Sequence, residues 1–425
     1  MKILVLGGYG LIGLSITKAL LAAGHEVTGL GRSAGKGRAA APEADWISRD
    51  LSQMTDEAGW ADVLEGMDVV VNAAGVLQDG MSDNVMAVQR DAVWAMAAAC
   101  KTAGIRQIVQ ISAPGVSESS DTVFYRSKAE GDAAVKASGV DWVIFRPGLV
   151  LSPQAYGGTS LLRQLAAVPL VQPVMLADAD IRTVHVDDVA AAVVRAVEEG
   201  LAGVDADLLT SELTRLEDLI LAIRSWLGFA PPKALIIHAP YFLGALAARL
   251  GDLAGWLGWR PALRTTSLKV LGKGVTGNAG SWPVRGLAET LRALPSTVQE
   301  RTYARTALLY PFLLLILSAF WIASGLIGWV RQEAAMTVFG DGMPQSLAKT
   351  FVLGGSVADV AIGAALLLRP LTRPAALSSV LVSLAYLVGS AVFAPHLWAD
   401  PLGPMVKVFP AMALGLTVWT LTEAR

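Results

Sequence analysis

The sequence predicts an α/β domain built on a parallel sheet, followed by an all-α C-terminal bundle of four transmembrane helices. Three observations predict it. Residues 1–150 alternate short β-branched runs with helical stretches, and 151–235 continue as α/β in a less regular pattern. Three glycines at regular spacing sit between the first run and the first helix. Four long apolar runs crowd into residues 306–425.

Residues 3–6 read as a strand, 11–23 as a helix and 26–30 as a second strand. Residues 69–72, 108–112 and 142–146 read as three more, with helical stretches between. Strands alternating with helices imply βαβ units and a parallel sheet. The runs are apolar throughout, as strands buried on both faces must be. The pattern continues to about residue 235, where Pro231 and Pro232 stop a helix.

Composition separates the two halves. The chain is 53% hydrophobic and only 16% charged, against roughly 25% charged in soluble proteins. Its net charge of −2 gives no basic surface for nucleic acid. Cys100 is the only cysteine, so no intrachain disulfide and no cysteine metal site is expected. The apolar start of the chain does not read as a signal peptide, because its glycines serve a turn.

The apolar runs span 306–330, 347–368, 375–394 and 402–421. Each reaches roughly 20 residues, enough to cross about 30 Å of hydrocarbon. No charge falls between Tyr310 and Val330, and the later runs are rich in Gly, Ser and Ala, which suits close helix packing in lipid. Arg285, Arg292, Arg301 and Arg305 precede the first run, and Arg369 and Arg373 lie between the second and third. The 395–401 loop has neither Lys nor Arg. Positive charge stays on the cytoplasmic side, so the α/β domain and both termini are expected there, at the inner (cytoplasmic) membrane. Asp359 and Lys407 fall inside apolar runs; they either pair, or Lys407 reaches to the surface. Residues 236–305 form a lobe or linker. Its apolar stretch 239–257 fits either a helix on the membrane surface or a core helix.

Gly7, Gly10 and Gly13 follow the first strand and open the first helix. Gly7 permits a tight turn, Gly10 lets a pyrophosphate approach the backbone, and Gly13 lets helix and strand pack closely. The helix N-terminus supplies N–H donors and a positive dipole to the phosphates. Sites for NAD(H) place an acid after the second strand; here Arg32 stands instead, near Lys36 and Arg38. Arg can bind a 2′-phosphate, so NADP(H) is favoured and NAD(H) is the alternative.

The first 230 or so residues resemble the extended and atypical short-chain dehydrogenases/reductases (SDRs), especially the NmrA-like group and relatives of the complex I accessory NAD(P)-binding subunit. GGYGLIG at 7–13, Asp50-Leu51, NAAG at 72–75, ISA at 111–113, RSKAEGD at 126–132, RPG at 146–148 and HVDDVA at 185–190 carry the resemblance. It implies a Rossmann-type domain. It further implies that Leu11 and Ile12 join the glycines at the cofactor, and that Asp50 and Leu51 meet adenine. Ala73, Ala74 and Gly75 would line the ribose and nicotinamide side. The C-terminal region resembles DoxX-like membrane domains by length and topology.

SDR enzymes place a Tyr four residues before a Lys on one helix, with a Ser on the neighbouring strand end. Ser112 and Lys128 match those positions. Phe124 occupies the tyrosine's place and Tyr125 is one residue late, about 100° around the helix. The resemblance thus implies a catalytic set of Ser112, Tyr125 and Lys128 with Lys128 binding ribose, and a shifted proton donor. His185, Asp187 and Asp188 read as structural. The leading expectation is an oxidoreductase at the membrane, using NADP(H) on a hydrophobic substrate such as a quinone or a lipid-like carbonyl. A non-catalytic NADP(H) sensor or assembly factor is the second reading, and a sugar-nucleotide epimerase or dehydratase the third. His396 is the only histidine of the membrane region, so one chain cannot hold a bis-His haem.

Overall fold

The computed structural model describes residues 1–422 except 82, 231–235, 281, 341 and 342. Pro231 and Pro232 therefore lie outside the described residues. The chain divides into two units: residues 1–255 with 260–304, and residues 256–259 with 305–425.

The first unit is built on seven strands: β1 (Lys2–Leu6), β2 (Glu26–Gly31), β3 (Asp45–Ser48), β4 (Val69–Asn72), β5 (Gln107–Ile111), β6 (Asp141–Pro147) and β7 (Val204–Leu208). They lie in the order β7-β6-β5-β4-β1-β2-β3 and every pairing is parallel. Chain order reverses at β1, where β4 crosses over to its other side. The crevice beyond the C-terminal ends of the strands at such a reversal is where doubly wound sheets bind ligands.

Both faces of the sheet are covered. Ile3 and Val5 point into one layer with Ile16 and Leu20 of α1 (Leu11–Ala22). Leu4 and Leu6 point into the other with Val93 and Met96 of α2 (Ala92–Thr102). Buried polar groups in the strands are matched. Gln107 donates to the carbonyls of Ala196 and Leu201, and Asn72 donates to Gln110 at 2.9 Å. Two further helices matter to the site: α3 (Val123–Ala137) and α4 (Val186–Glu198).

Residues 236–304 add α5 (Tyr241–Trp256), α6 (Thr265–Gly272) and a short helix, Leu287–Ala293. Strand Ile236–His238 pairs with Gln172–Val174 of the same unit.

The second unit holds α7 (Val298–Val330, from Arg305 on), α8 (Gln345–Leu367), α9 (Arg369–Phe393) and α10 (Val408–Leu421). The first three are long and apolar enough to cross a membrane. The fourth run departs from expectation. Gly403 at φ +59° and Pro404 interrupt it, and its helix begins only at Val408. Fourteen residues rise roughly 21 Å, short of the hydrocarbon thickness. Lys407 caps this helix and is exposed. Asp359 is satisfied without it: Ser324 donates to one carboxylate oxygen at 2.7 Å and Tyr386 to the other at 2.6 Å. Small residues bring the helices together, with Ser318 donating to the Gly363 carbonyl at 2.7 Å.

Candidate functional site

The turn from β1 into α1 begins with Gly7 at φ +70°, a conformation that suits glycine. A Cβ on Gly13 would overlap the Gly7 carbonyl, so the first turn of α1 can lie against the loop only with glycine there. Gly10 is the N-cap, no side chain caps the helix, and no acid stands in its first turn. The backbone donors of Leu11 and Ile12 thus open the helix at a dipole that favours an anion.

Arg32 directly follows β2. Its Nη1 donates to Asp83 Oδ1 at 2.8 Å, and Nη2 of Arg260 donates to the same oxygen at 2.9 Å. Two guanidinium groups therefore converge on one anionic oxygen at the end of the second strand. Asp50 follows β3 and begins the turn Leu51–Gln53, where its Oδ1 accepts from the Ser52 amide at 3.0 Å and hydroxyl at 2.9 Å.

The segment 72–75 leaves β4 at the crevice. The Ala73 amide donates to the Leu6 carbonyl, and the Ala74 amide to Asn72 Oδ1 at 3.1 Å. Lys128 on α3 is buried and its Nζ donates to the Ile111 carbonyl at 3.0 Å. Burial pulls its pKa down, while nearby Asp132 pushes it back up. A Cβ on Gly75 would lie 3.6 Å from Lys128 Nζ and 3.4 Å from Gln89 Oε1.

Gln89 is the site residue that sequence reasoning missed. It lies in a π-helical turn, Ala87–Asp91, that leads into α2; such turns recur at functional sites. Its Nε2 donates to Ser127 at 3.1 Å, and its Oε1 is buried without a partner among the described residues. An unpaired acceptor beside a buried ammonium makes a fitting cradle for ribose hydroxyls.

Ser112 is buried and donates to Asp132 Oδ2 at 2.6 Å, and Arg146 donates to the same oxygen at 3.2 Å. The serine hydroxyl is thus engaged on the α3 side. Tyr125 is buried, and burial raises its pKa. Phe124 lies in the wall of a 170 Å³ cavity with Leu77, Val85, Val123 and Lys269. The position where the SDR pattern has tyrosine therefore faces a cavity, and it carries a ring with no proton to give. His185 caps α4, its Nδ1 accepting from the Asp187 amide, while Asp188 pairs with Arg285 at 2.6 Å. These are structural roles.

Residues 7–200 match the NAD(P)H-binding family, and residues 318–416 match the DoxX-like family. A ceramide reductase from Caulobacter vibrioides is 30% identical over 155 residues, 35% of this chain and 48% of that protein. The chain thus spans about half the length of this curated relative. Among solved structures, gox2253 is similar with a TM-score of 0.51 at 19% identity, covering 73% of this chain and 98% of that one. The dTDP-glucose 4,6-dehydratase DesIV from Streptomyces venezuelae, with NAD and TYD bound, gives 0.50 at 18% identity, covering 72% and 97%. At such identities the structures speak for the fold. The chain joins an NAD(P)-binding Rossmann domain to a DoxX-like membrane domain.

Proposed function

We propose that this protein is a membrane-bound, NADPH-dependent reductase of a carbonyl carried on a lipid. The observation that carries this reading is the cavity beside Phe124, one turn of α3 from Lys128, in a chain that also has membrane helices. At 170 Å³ it is smaller than the roughly 300–1,000 Å³ of small-molecule sites. It suits the reacting end of a long molecule whose remainder stays outside. The similarity to a ceramide reductase supports a lipid over a quinone.

The α1 N-terminus would hold the pyrophosphate, with Asp50 and Leu51 at adenine. Arg32 and Arg260 would take the 2′-phosphate, which favours NADPH over NADH. Lys128 and Gln89 would hold the nicotinamide ribose beside Gly75. Bound there, the cofactor supplies a hydride. The chain's own task is to hold the carbonyl and deliver a proton to its oxygen. Tyr125 stands one turn before Lys128, and the ammonium of Lys269 lines the cavity. Because burial raises the Tyr125 pKa, its hydroxyl keeps its proton until a strongly basic alkoxide forms.

The arginines before the first span and Arg369 and Arg373 after the second support a cytoplasmic Rossmann domain. A reporter active only outside the membrane should be active in the 395–400 loop and silent at the N-terminus. The decisive assay is NADPH oxidation by the full-length protein in lipid nanodiscs containing long-chain ketones. Turnover with a lipid ketone is expected. Tight NADPH binding without turnover of any lipid ketone or quinone would replace this reading with the sensor.

A further inference from the structure

Helix α5 has two unlike faces. Gly244, Ala248, Gly251 and Gly255 are buried and let the helix lie close to its own unit. A Cβ on Gly251 would overlap the Leu263 carbonyl. On this side Asp252 accepts from Gln78 at 2.7 Å and from the Thr265 amide at 3.3 Å, and Arg264 donates to the Asp79 carbonyl at 2.7 Å. The inner face of α5 and the start of α6 therefore fasten residues 78 and 79, which line the cavity.

The outer face carries Phe242, Leu243, Leu246, Leu250, Leu253 and Trp256, between 47% and 67% exposed. A surface helix in water places polar residues on that side. Six large apolar side chains in one stripe call for a covering.

The chain itself indicates what covers them. Trp256 and residues 257–259 already belong to the membrane unit. There Trp259 Nε1 donates to the Leu367 carbonyl at 2.8 Å, and the Arg369 amide donates to the Leu257 carbonyl at 2.9 Å. The Arg369 guanidinium stacks on the Trp259 ring at 5.3 Å. Leu367 ends α8 and Arg369 begins α9, so residues 257–259, which follow α5 in the chain, pack on the turn joining two membrane helices. A turn bearing Arg369 and Arg373, with Trp259 against it, marks the level of the lipid headgroups.

We infer that α5 lies in the bilayer surface, with its outer stripe at the boundary of headgroups and acyl chains. On the lipid-reductase reading it also brings the cavity to bilayer-borne substrate. Its apolar stripe and aromatic end match an interfacial helix, and the exposed Arg249, which helical spacing puts between Phe242 and Trp256, has a stem long enough to reach the headgroups.

The test uses the full-length protein in nanodiscs of phosphatidylcholine and phosphatidylglycerol carrying a quencher high on the acyl chain. A fluorophore is attached to Leu250→Cys, and for comparison to Leu213→Cys, which is exposed elsewhere on the first unit. Cys100 stays unlabelled because it is buried and its thiol is pushed up to about 12. Strong quenching at position 250 and little at 213 is expected. Quenching at 250 no greater than at 213 overturns the placement. Leu246→Glu with Leu250→Glu should then cut turnover of a long-chain ketone in the bilayer by about tenfold or more, because charges in the stripe oppose its insertion. NADPH binding and reduction of a water-soluble short-chain ketone should hold. An equal loss on both ketones, or no loss, overturns the delivery role. If the unaltered protein reduces neither ketone, the reductase reading fails and delivery with it, while the quenching still decides where α5 lies.

Discussion

Gln89 and Lys128 converge on Gly75: the Gln89 Oε1 acceptor and the Lys128 ammonium flank one backbone position, at 3.4 and 3.6 Å from where its Cβ would stand. One comes from a π-helical turn and the other from α3. Gln89→Leu should weaken NADPH binding by about fivefold, the scale of one neutral hydrogen bond. Lys128→Met should weaken it by about 10- to 100-fold, since hydrogen bonds to charged groups are worth more. The Lys128→Met protein should still fold, with a Tm lowered by the Ile111 carbonyl left unpaired and by the loss of a positive charge near Asp132. Calorimetric titration and thermal unfolding check both. Unchanged affinity in both variants would remove the pair from the cofactor site.

Arg32 and Arg260 share the Asp83 oxygen. Arg32→Asp should shift the preference from NADPH toward NADH by about 1–3 kcal/mol, the worth of charge-assisted hydrogen bonds. Arg260→Ala should shift it in the same direction by less. Affinities for the two cofactors measured side by side decide this, and equal values in the parent protein would refute it.

How much of this was legible in the sequence depends on whether the signal is local. The strands are short runs such as ILVL and VVVN, apolar because both faces are covered. The glycine turn, Arg32 after β2 and Asp50 after β3 could be read because each follows a recognisable run. Lys128 was legible through its motif. Gln89 was not: a lone glutamine on a helix carries no pattern, and its place beside Lys128 arises only where a π turn meets Gly75 and α3. The fourth apolar run misled for a different reason. Hydropathy counts apolar residues and is blind to Gly403 and Pro404, which delay the helix to Val408. The charge at Lys407 reads as lying within a span for that reason, and it stands at the start of a helix too short to be one.

His185 gives the fold a dependence on pH. Burial, reinforced by the Arg285 charge, lowers its pKa below the ordinary 6.5. Its Nε2 is buried without a partner among the described residues. Between the folded and unfolded pKa values the unfolded chain binds a proton that the folded one does not. Stability from this group is therefore full above about 6.5 and declines as pH falls below it. Thermal unfolding in detergent should show a lower Tm at pH 5.5 than at 7.5, with a smaller difference in His185→Asn. An identical pH response in the variant would assign the effect elsewhere.

Phe124 and Tyr125 offer the sharpest experiment on chemistry. Phe124 lines the cavity, while Tyr125 is buried one position on, their ring centroids 5.4 Å apart. If Tyr125 delivers the proton, Tyr125→Phe should lower ketone reduction by about 100-fold or more, as expected on losing a general acid. NADPH affinity should hold. If the proton comes through Lys269, Tyr125→Phe should change little and Lys269→Met should carry the loss. Phe124→Tyr places a hydroxyl in the cavity wall at the usual four-residue spacing from Lys128, and it should raise ketone reduction. A further Tyr125→Phe change in that background should then be tolerated. If Phe124→Tyr binds NADPH normally and gains no activity on any ketone, the cavity is not the place where a carbonyl meets the nicotinamide. The reductase reading would then give way to that of a nucleotide sensor.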